Sequence, residues 1–153
     1  MISNNQELEN CIKDSVADST RPFHILVAED NSINQKLILR LLEKMGYDAD
    51  LAENGLEVLK AVEKKAYHLI LMDIQMPKMD GMEAAKRIIE KYNHGKRPKI
   101  IAVTACVAQG DREKFLSIGM DDYISKPINI DRFKNCITYW SFPADNRPNH
   151  TVQ

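Results

Sequence analysis

Leu69-Ile70-Leu71-Met72-Asp73 runs four apolar residues straight into an acid. A strand with one wet face alternates apolar and polar residues. A run without alternation suits a strand covered on both faces, as inside a parallel sheet. His24-Ile25-Leu26-Val27-Ala28 and Lys99-Ile100-Ile101-Ala102-Val103 read the same way. Asp48-Ala49-Asp50-Leu51-Ala52 is more polar and suits an edge. Asp122-Tyr123-Ile124-Ser125 makes a fifth strand. Each run is followed by a helical pattern, so the chain reads as five βα units. Consecutive βα units give an α/β fold: one doubly wound, five-stranded parallel sheet with helices on both faces. With the second strand at an edge, the expected strand order is 2-1-3-4-5.

The helix ends carry their own signals. Ser32 with Gln35, Asn54 with Glu57 and Asp80 with Glu83 have capping-box spacing. Asn129 is placed to cap the last helix, and Gly46 to end the first. On the first helix Ile38, Leu41, Leu42 and Met45 share a core-facing stripe. Ile33 and Leu37 fall outside it. On the last helix Ile130, Phe133, Ile137 and Trp140 fall on one expected core face.

Outside the alternation the chain is polar. Residues 1–21 read as a tail or linker with a short helical turn around Leu8 to Ile12, residues 22–141 as the folded domain, and residues 142–153 as a second tail. The whole chain has 153 residues, 44% of them hydrophobic and 28% charged, the values of an ordinary soluble domain. Lysine plus arginine is 21 against 22 acids, a net charge of −1, which argues against a polyanion binder. No apolar run approaches the roughly 18 residues of a membrane span. The start has neither the basic end nor the apolar core of a signal peptide. Cys11, Cys106 and Cys136 are odd in number and widely spaced, which fits reduced thiols in the cytoplasm. The glycines form no GxG, so glycine-rich dinucleotide and P-loop sites are excluded.

In open α/β sheets the site lies outside the carboxyl ends of the strands. Those ends carry Glu29-Asp30, Asp73, Thr104 and Ser125-Lys126-Pro127. Clustered carboxylates repel one another, and a hard cation with oxygen ligands, Mg²⁺ above all, relieves that repulsion. A lysine charge at Lys126 and a hydroxyl at Thr104 then suit phosphoryl oxygens. Asp73, at the end of the central strand, is the best placed nucleophile, and its product is an acyl phosphate. Met72, Met76, Met79 and Met82 read as packing. None of His24, His68, His94 and His150 is followed by an acid, so none reads as a kinase phosphoacceptor.

The segments Val27-Ala28-Glu29-Asp30-Asn31, Leu71-Met72-Asp73-Ile74-Gln75-Met76-Pro77-Lys78-Met79-Asp80-Gly81, Val103-Thr104-Ala105 and Lys126-Pro127 resemble the receiver domain of two-component response regulators. The E-D-N-x-x-N-Q start is similar to receivers of hybrid sensor histidine kinases. The resemblance covers about Pro22 to Ser141 and implies the flavodoxin-like version of the fold. It implies phosphorylation of Asp73 by a histidine kinase or a histidine phosphotransfer protein. It implies Mg²⁺ on Asp30, Asp73 and the backbone carbonyl of Gln75, with Glu29 acting through bound water. Thr104 and Lys126 would hold phosphoryl oxygens, and Lys126–Pro127 would be cis. Thr104 and Tyr123 would form a switch that changes the surface from about Ala108 to Trp140. For a donor helix, Ile33, Asn34, Leu37, Arg40 and Pro127 would make the docking surface. An aspartyl phosphatase is the weaker reading, since Gln75 stands where such enzymes carry a second Asp. A flavin carrier is weaker too, because Glu29-Asp30 would repel a phosphate.

Overall fold

A computed structural model describes residues 23–92, 97–105 and 110–142. The helical turn around Leu8 to Ile12, the rest of residues 1–22, residues 143–153, Cys11, Cys106, Ala108, His94 and His150 lie outside the described residues.

The strands are β1 (Ile25–Ala28), β2 (Ala49–Ala52), β3 (Leu69–Asp73), β4 (Lys99–Thr104) and β5 (Asp122–Ser125). The helices are α1 (Ser32–Lys44), α2 (Gly55–Lys64), α3 (Gly81–Lys91), α4 (Asp111–Ile118) and α5 (Ile130–Ser141). All strand pairs are parallel, in the order β2-β1-β3-β4-β5. The expected topology is therefore the one observed. Asp73 and Thr104 are the last residues of β3 and β4, at the strand ends where their place in the sequence put them.

Successive strand residues point to opposite faces, and both faces are covered. Val27, Leu71, Ile101 and Ile124 pack with Ile38 and Leu42 of α1 and Phe133 and Ile137 of α5. Leu26, Ile70, Met72 and Ile100 pack with Val58 of α2, Ala84 and Ile88 of α3 and Phe115 of α4. Each of the larger side chains among them, fully buried, contributes about 1.5–3 kcal/mol. The polar run is an edge strand: Asp50 and Leu51 are exposed on β2.

Two local expectations are corrected. Asn31, not Ser32, caps α1: its side chain accepts from the backbone N–H of Ile33 and of Asn34. Ser32 is the first residue inside the helix, and Gln35 is buried and engaged elsewhere. Ile130 is exposed at the first position of α5, one turn ahead of Phe133, the first buried residue of the helix. Cys136 completes the buried α5 face in its place. The remaining caps stand where expected. Asn54, Asp80 and Asn129 accept from the backbone N–H of Glu57, Glu83 and Arg132. Gly46, at φ +90°, ends α1 in the left-handed region that glycine enters freely.

Candidate functional site

The carboxyl ends of four strands meet at one edge of the sheet. β1 delivers Glu29, buried, and Asp30, exposed. Register sets the depth of the rest: Ala28 lies beside Met72, Asp73 beside Val103, and Thr104 beside Ser125. Asp73 is only 5% exposed and Thr104 is buried. Carboxylate oxygens of Glu29, Asp30 and Asp73 lie within 4.8 Å of one another. Among the described residues this is the one acidic group able to gather round a metal ion.

Lys126, which follows β5, answers those charges. Its Nζ is 2.8 Å from Glu29 Oε2 and 3.5 Å from Asp73 Oδ1. The other Glu29 oxygen accepts from the backbone N–H of Asn31 at 3.2 Å and from Asn34 Nδ2 at 3.4 Å. Gln35 Nε2 donates to the Glu29 carbonyl at 2.7 Å. Helix α1 therefore braces the acidic loop in two places, through Asn34 and Gln35, and its capping residue Asn31 adds a third. Sequence reading missed this role of Gln35, since its spacing from Ser32 also fits a capping box. The signal available was a polar residue at a position one turn from the core stripe.

Asp73 carries the electrostatic strain. Burial, and then the Glu29 charge, push its carboxyl up to about 6, against the pull of Lys126 and of the Gln75 N–H, which donates at 3.4 Å. A divalent cation among these hard oxygen donors would remove that penalty, so the residues present fit one. The loop after Asp73 turns sharply. Lys78 sits at φ +67°, and Met79 N–H donates to the Pro77 carbonyl at 2.7 Å, a strained γ-turn. The Gly81 N–H donates to the Ile74 carbonyl at 2.8 Å. A Cβ on Gly81 would collide with the carbonyl of Asp73, so glycine is required there.

The Lys126–Pro127 peptide is cis, as the resemblance implied. The Tyr123 ring is buried, one pleat below Ser125. Ile33 and Leu37 are 74% and 39% exposed on the flank of the site, with Arg40 and Pro127 also exposed. Met72 is buried, and Met76, Met79 and Met82 pack partly buried around the loop. Burial drives the Cys136 thiol upward in pKa, which leaves it unreactive. A cleft of about 300 Å³ lined by Lys65, Tyr67, Tyr92 and Pro98 sits at the opposite end of the sheet, away from the acids.

The family model for the response regulator receiver domain matches residues 25–138. This chain belongs to that family. The receiver is similar to "Hybrid signal transduction histidine kinase I" of Dictyostelium discoideum, 49% identical over 114 residues, covering 71% of this chain and 7% of that protein. It is similar to "Hybrid signal transduction protein dokA" of the same organism, 42% identical over 132 residues, covering 86% and 8%. The chain thus spans less than a tenth of the length of either relative. Among solved structures, the receiver of Saccharomyces cerevisiae Ssk1, crystallised with the histidine phosphotransfer protein Ypd1, has a TM-score of 0.74 and 33% identity over 82% of this chain and 95% of that one. The receiver of the Pseudomonas aeruginosa sensor kinase PA1611, with magnesium in its active-site cleft, has a TM-score of 0.70 and 36% identity over 79% and 98%. No helix among the described residues is long and apolar enough to cross a membrane.

Proposed function

We propose that this receiver takes a phosphoryl group from a phosphohistidine onto Asp73 and passes the event on as a changed surface. The observation that carries the reading is the cluster itself: three carboxylates within 4.8 Å of one another, with a lysine 3.5 Å from Asp73. A carboxylate oxygen of Asp73 attacks the phosphorus. The P–O bond forms as the P–N bond to the donor imidazole breaks, and the imidazole nitrogen takes up a proton. Asp30, Asp73 and the Gln75 carbonyl would hold Mg²⁺, with Glu29 reaching it through water. The ion, when bound, supplies positive charge against the transferring phosphoryl group. Lys126 moves its charge from Glu29 toward the phosphoryl oxygens, and the Thr104 hydroxyl donates to another.

Beyond this self-directed transfer and the hydrolysis of its own phosphate, the domain is not an enzyme. It works either as part of a hybrid histidine kinase or as a stand-alone regulator, and its donor is a kinase or a histidine phosphotransfer protein in the cytoplasm. The names of its relatives and the Ssk1–Ypd1 complex support that choice. Ile33, Asn34, Leu37, Arg40 and Pro127 form the docking rim, which the exposure of Ile33 and Leu37 supports. Thr104 and Tyr123 carry the switch: the phosphoryl group draws the Thr104 hydroxyl inward, and the Tyr123 ring occupies the space it vacates, so the buried ring goes with the phosphorylated surface.

Acetyl phosphate with Mg²⁺ tests the chemistry. Mass spectrometry should find one acid-stable, base-labile phosphate on the wild type and none on Asp73→Asn. Stoichiometric uptake by Asp73→Asn would overturn the assignment. Calorimetry should find Mg²⁺ binding lost or strongly weakened in Asp30→Ala, and equal affinity would remove Asp30 from the ligand set.

A further inference from the structure

The switch residue of this reading is held by a side chain that the chemistry above does not use. Arg132 stands at the third position of α5, where its backbone N–H donates to the capping Asn129 side chain at 2.9 Å. From there the guanidinium reaches back to β5. Its Nη2 donates to the Tyr123 carbonyl at 3.1 Å, and its Cζ lies 5.4 Å from the centre of the Tyr123 ring. That distance is within the range in which a guanidinium is attracted to a ring face. On the other side, the Tyr123 N–H donates to the Asp122 carboxylate at 2.8 Å.

These contacts close the chain on itself. The segment from Tyr123 to Arg132 contains Lys126 and Pro127 and is stapled at its two ends by one side chain. Among the described residues β5 is an edge strand paired with β4 alone, so the staple adds a restraint that the sheet does not supply on its other side. With the staple in place the Tyr123 ring is 8% exposed and packs in the core formed by α2, α3 and α4.

We infer that Arg132 is a positioning residue for the switch: it holds the Tyr123 ring in its buried place before any phosphoryl group arrives, and so pre-sets the receiver toward its phosphorylated surface. This inference rests on the receiver reading and on Tyr123 as the moving aromatic. By linkage, a contact that favours the buried ring lowers what the phosphoryl group must supply.

The test uses the full chain with tyrosine rings labelled for NMR, and compares wild type, Arg132→Met and Arg132→Lys. Met keeps the length and apolar stem but loses the charge and donors. Lys keeps a cation and a donor, so it should restore part of the effect. Without ligand, the Tyr123 ring signals should shift in Arg132→Met and lie between the other two in Arg132→Lys. Superimposable Tyr123 signals in all three would overturn the staple. Beryllofluoride with Mg²⁺ then stands in for the phosphoryl group, and its affinity should fall about three- to fivefold in Arg132→Met, in keeping with one exposed-to-buried cation–ring contact. Tighter binding would mean that Arg132 opposes the switch and would overturn the pre-setting. If Arg132→Met does not fold, the Lys variant alone decides by the same two readouts. A wild type that ignores beryllofluoride would refute the receiver reading, while the ligand-free ring shift would still judge the staple.

Discussion

Asp73 holds its position at an energetic cost that pH exposes. Its carboxyl, ordinarily near 3.8, is pushed up to about 6 in the fold by burial and by Glu29. A carboxyl raised on folding favours the native state when protonated. That contribution is complete below about pH 3.8 and is lost as pH rises through about 6. At pH 7.5 without divalent metal, Asp73→Asn should therefore melt a few degrees above wild type, with the gap closing toward pH 4. Lys126 keeps its 2.8 Å partner Glu29 in the variant, so no cation is orphaned. Added Mg²⁺ should raise the melting point of wild type and leave Asp73→Asn nearly unchanged. Scanning calorimetry at the two pH values checks both statements, and a variant less stable than wild type at pH 7.5 would contradict them.

At the scale of elements, the loop between β3 and α3 sets where Asp73 points. Gly81 lets the first turn of α3 press against the Asp73 carbonyl, and Gly55 lets α2 meet the Met79 carbonyl, to which its N–H donates at 2.9 Å. Both obstacles are backbone, which yields less readily than a side chain. Gly81→Ala should therefore destabilise the fold by about 1–3 kcal/mol, the usual range for overpacking. It should also slow acetyl phosphate labelling, because the displaced atom belongs to the nucleophile's own residue. Gly46→Ala is the control: nothing lies within 4 Å of a Cβ there, although φ is +90°. It should lower stability through backbone strain by about 1 kcal/mol and leave labelling untouched. Denaturant unfolding and labelling rates on the two variants separate the effects. Equal labelling by Gly81→Ala and wild type would show that the close approach does not position Asp73.

For the whole molecule, the two faces of the sheet have different tasks. α1 carries a buried stripe of Ile38, Leu41 and Leu42 and, off that stripe, exposed Ile33 and Leu37 beside the acids. An apolar patch there is not needed for folding, so removing it should spare the domain. Leu37→Asp should cut transfer from a protein donor by about tenfold or more, equivalent to ~1.4 kcal/mol of docking energy. Reaction with acetyl phosphate should remain at the wild-type rate, since a small donor needs no docking surface. Parallel time courses with the two donors decide it. Loss of both activities would mean that Leu37 serves the fold.

Strand number, strand order and the identity of the acids were legible in the chain because they rest on local chemistry. A run without alternation, such as Leu69 to Met72, must be covered on both faces wherever it sits, and an acid that follows it must lie at the strand end. Caps at Asn54, Asp80 and Asn129 were equally local. Where two local readings competed, the sequence was mute: Ser32 and Asn31 are both good capping residues, and only the chain's path out of β1 selects Asn31. The same limit hid Gln35, whose partner Glu29 lies across a turn, and Arg132, whose partner Tyr123 lies across an edge strand. Ile130 had the right spacing for the core, but at the first position of α5 it is exposed, and burial begins a turn later at Phe133. Periodicity reports which residues share a face. Which neighbour meets that face, and how deeply Asp73 is buried beside Glu29, which together raise its pKa, depends on distances between segments far apart in the chain, and those are fixed only when the sheet closes.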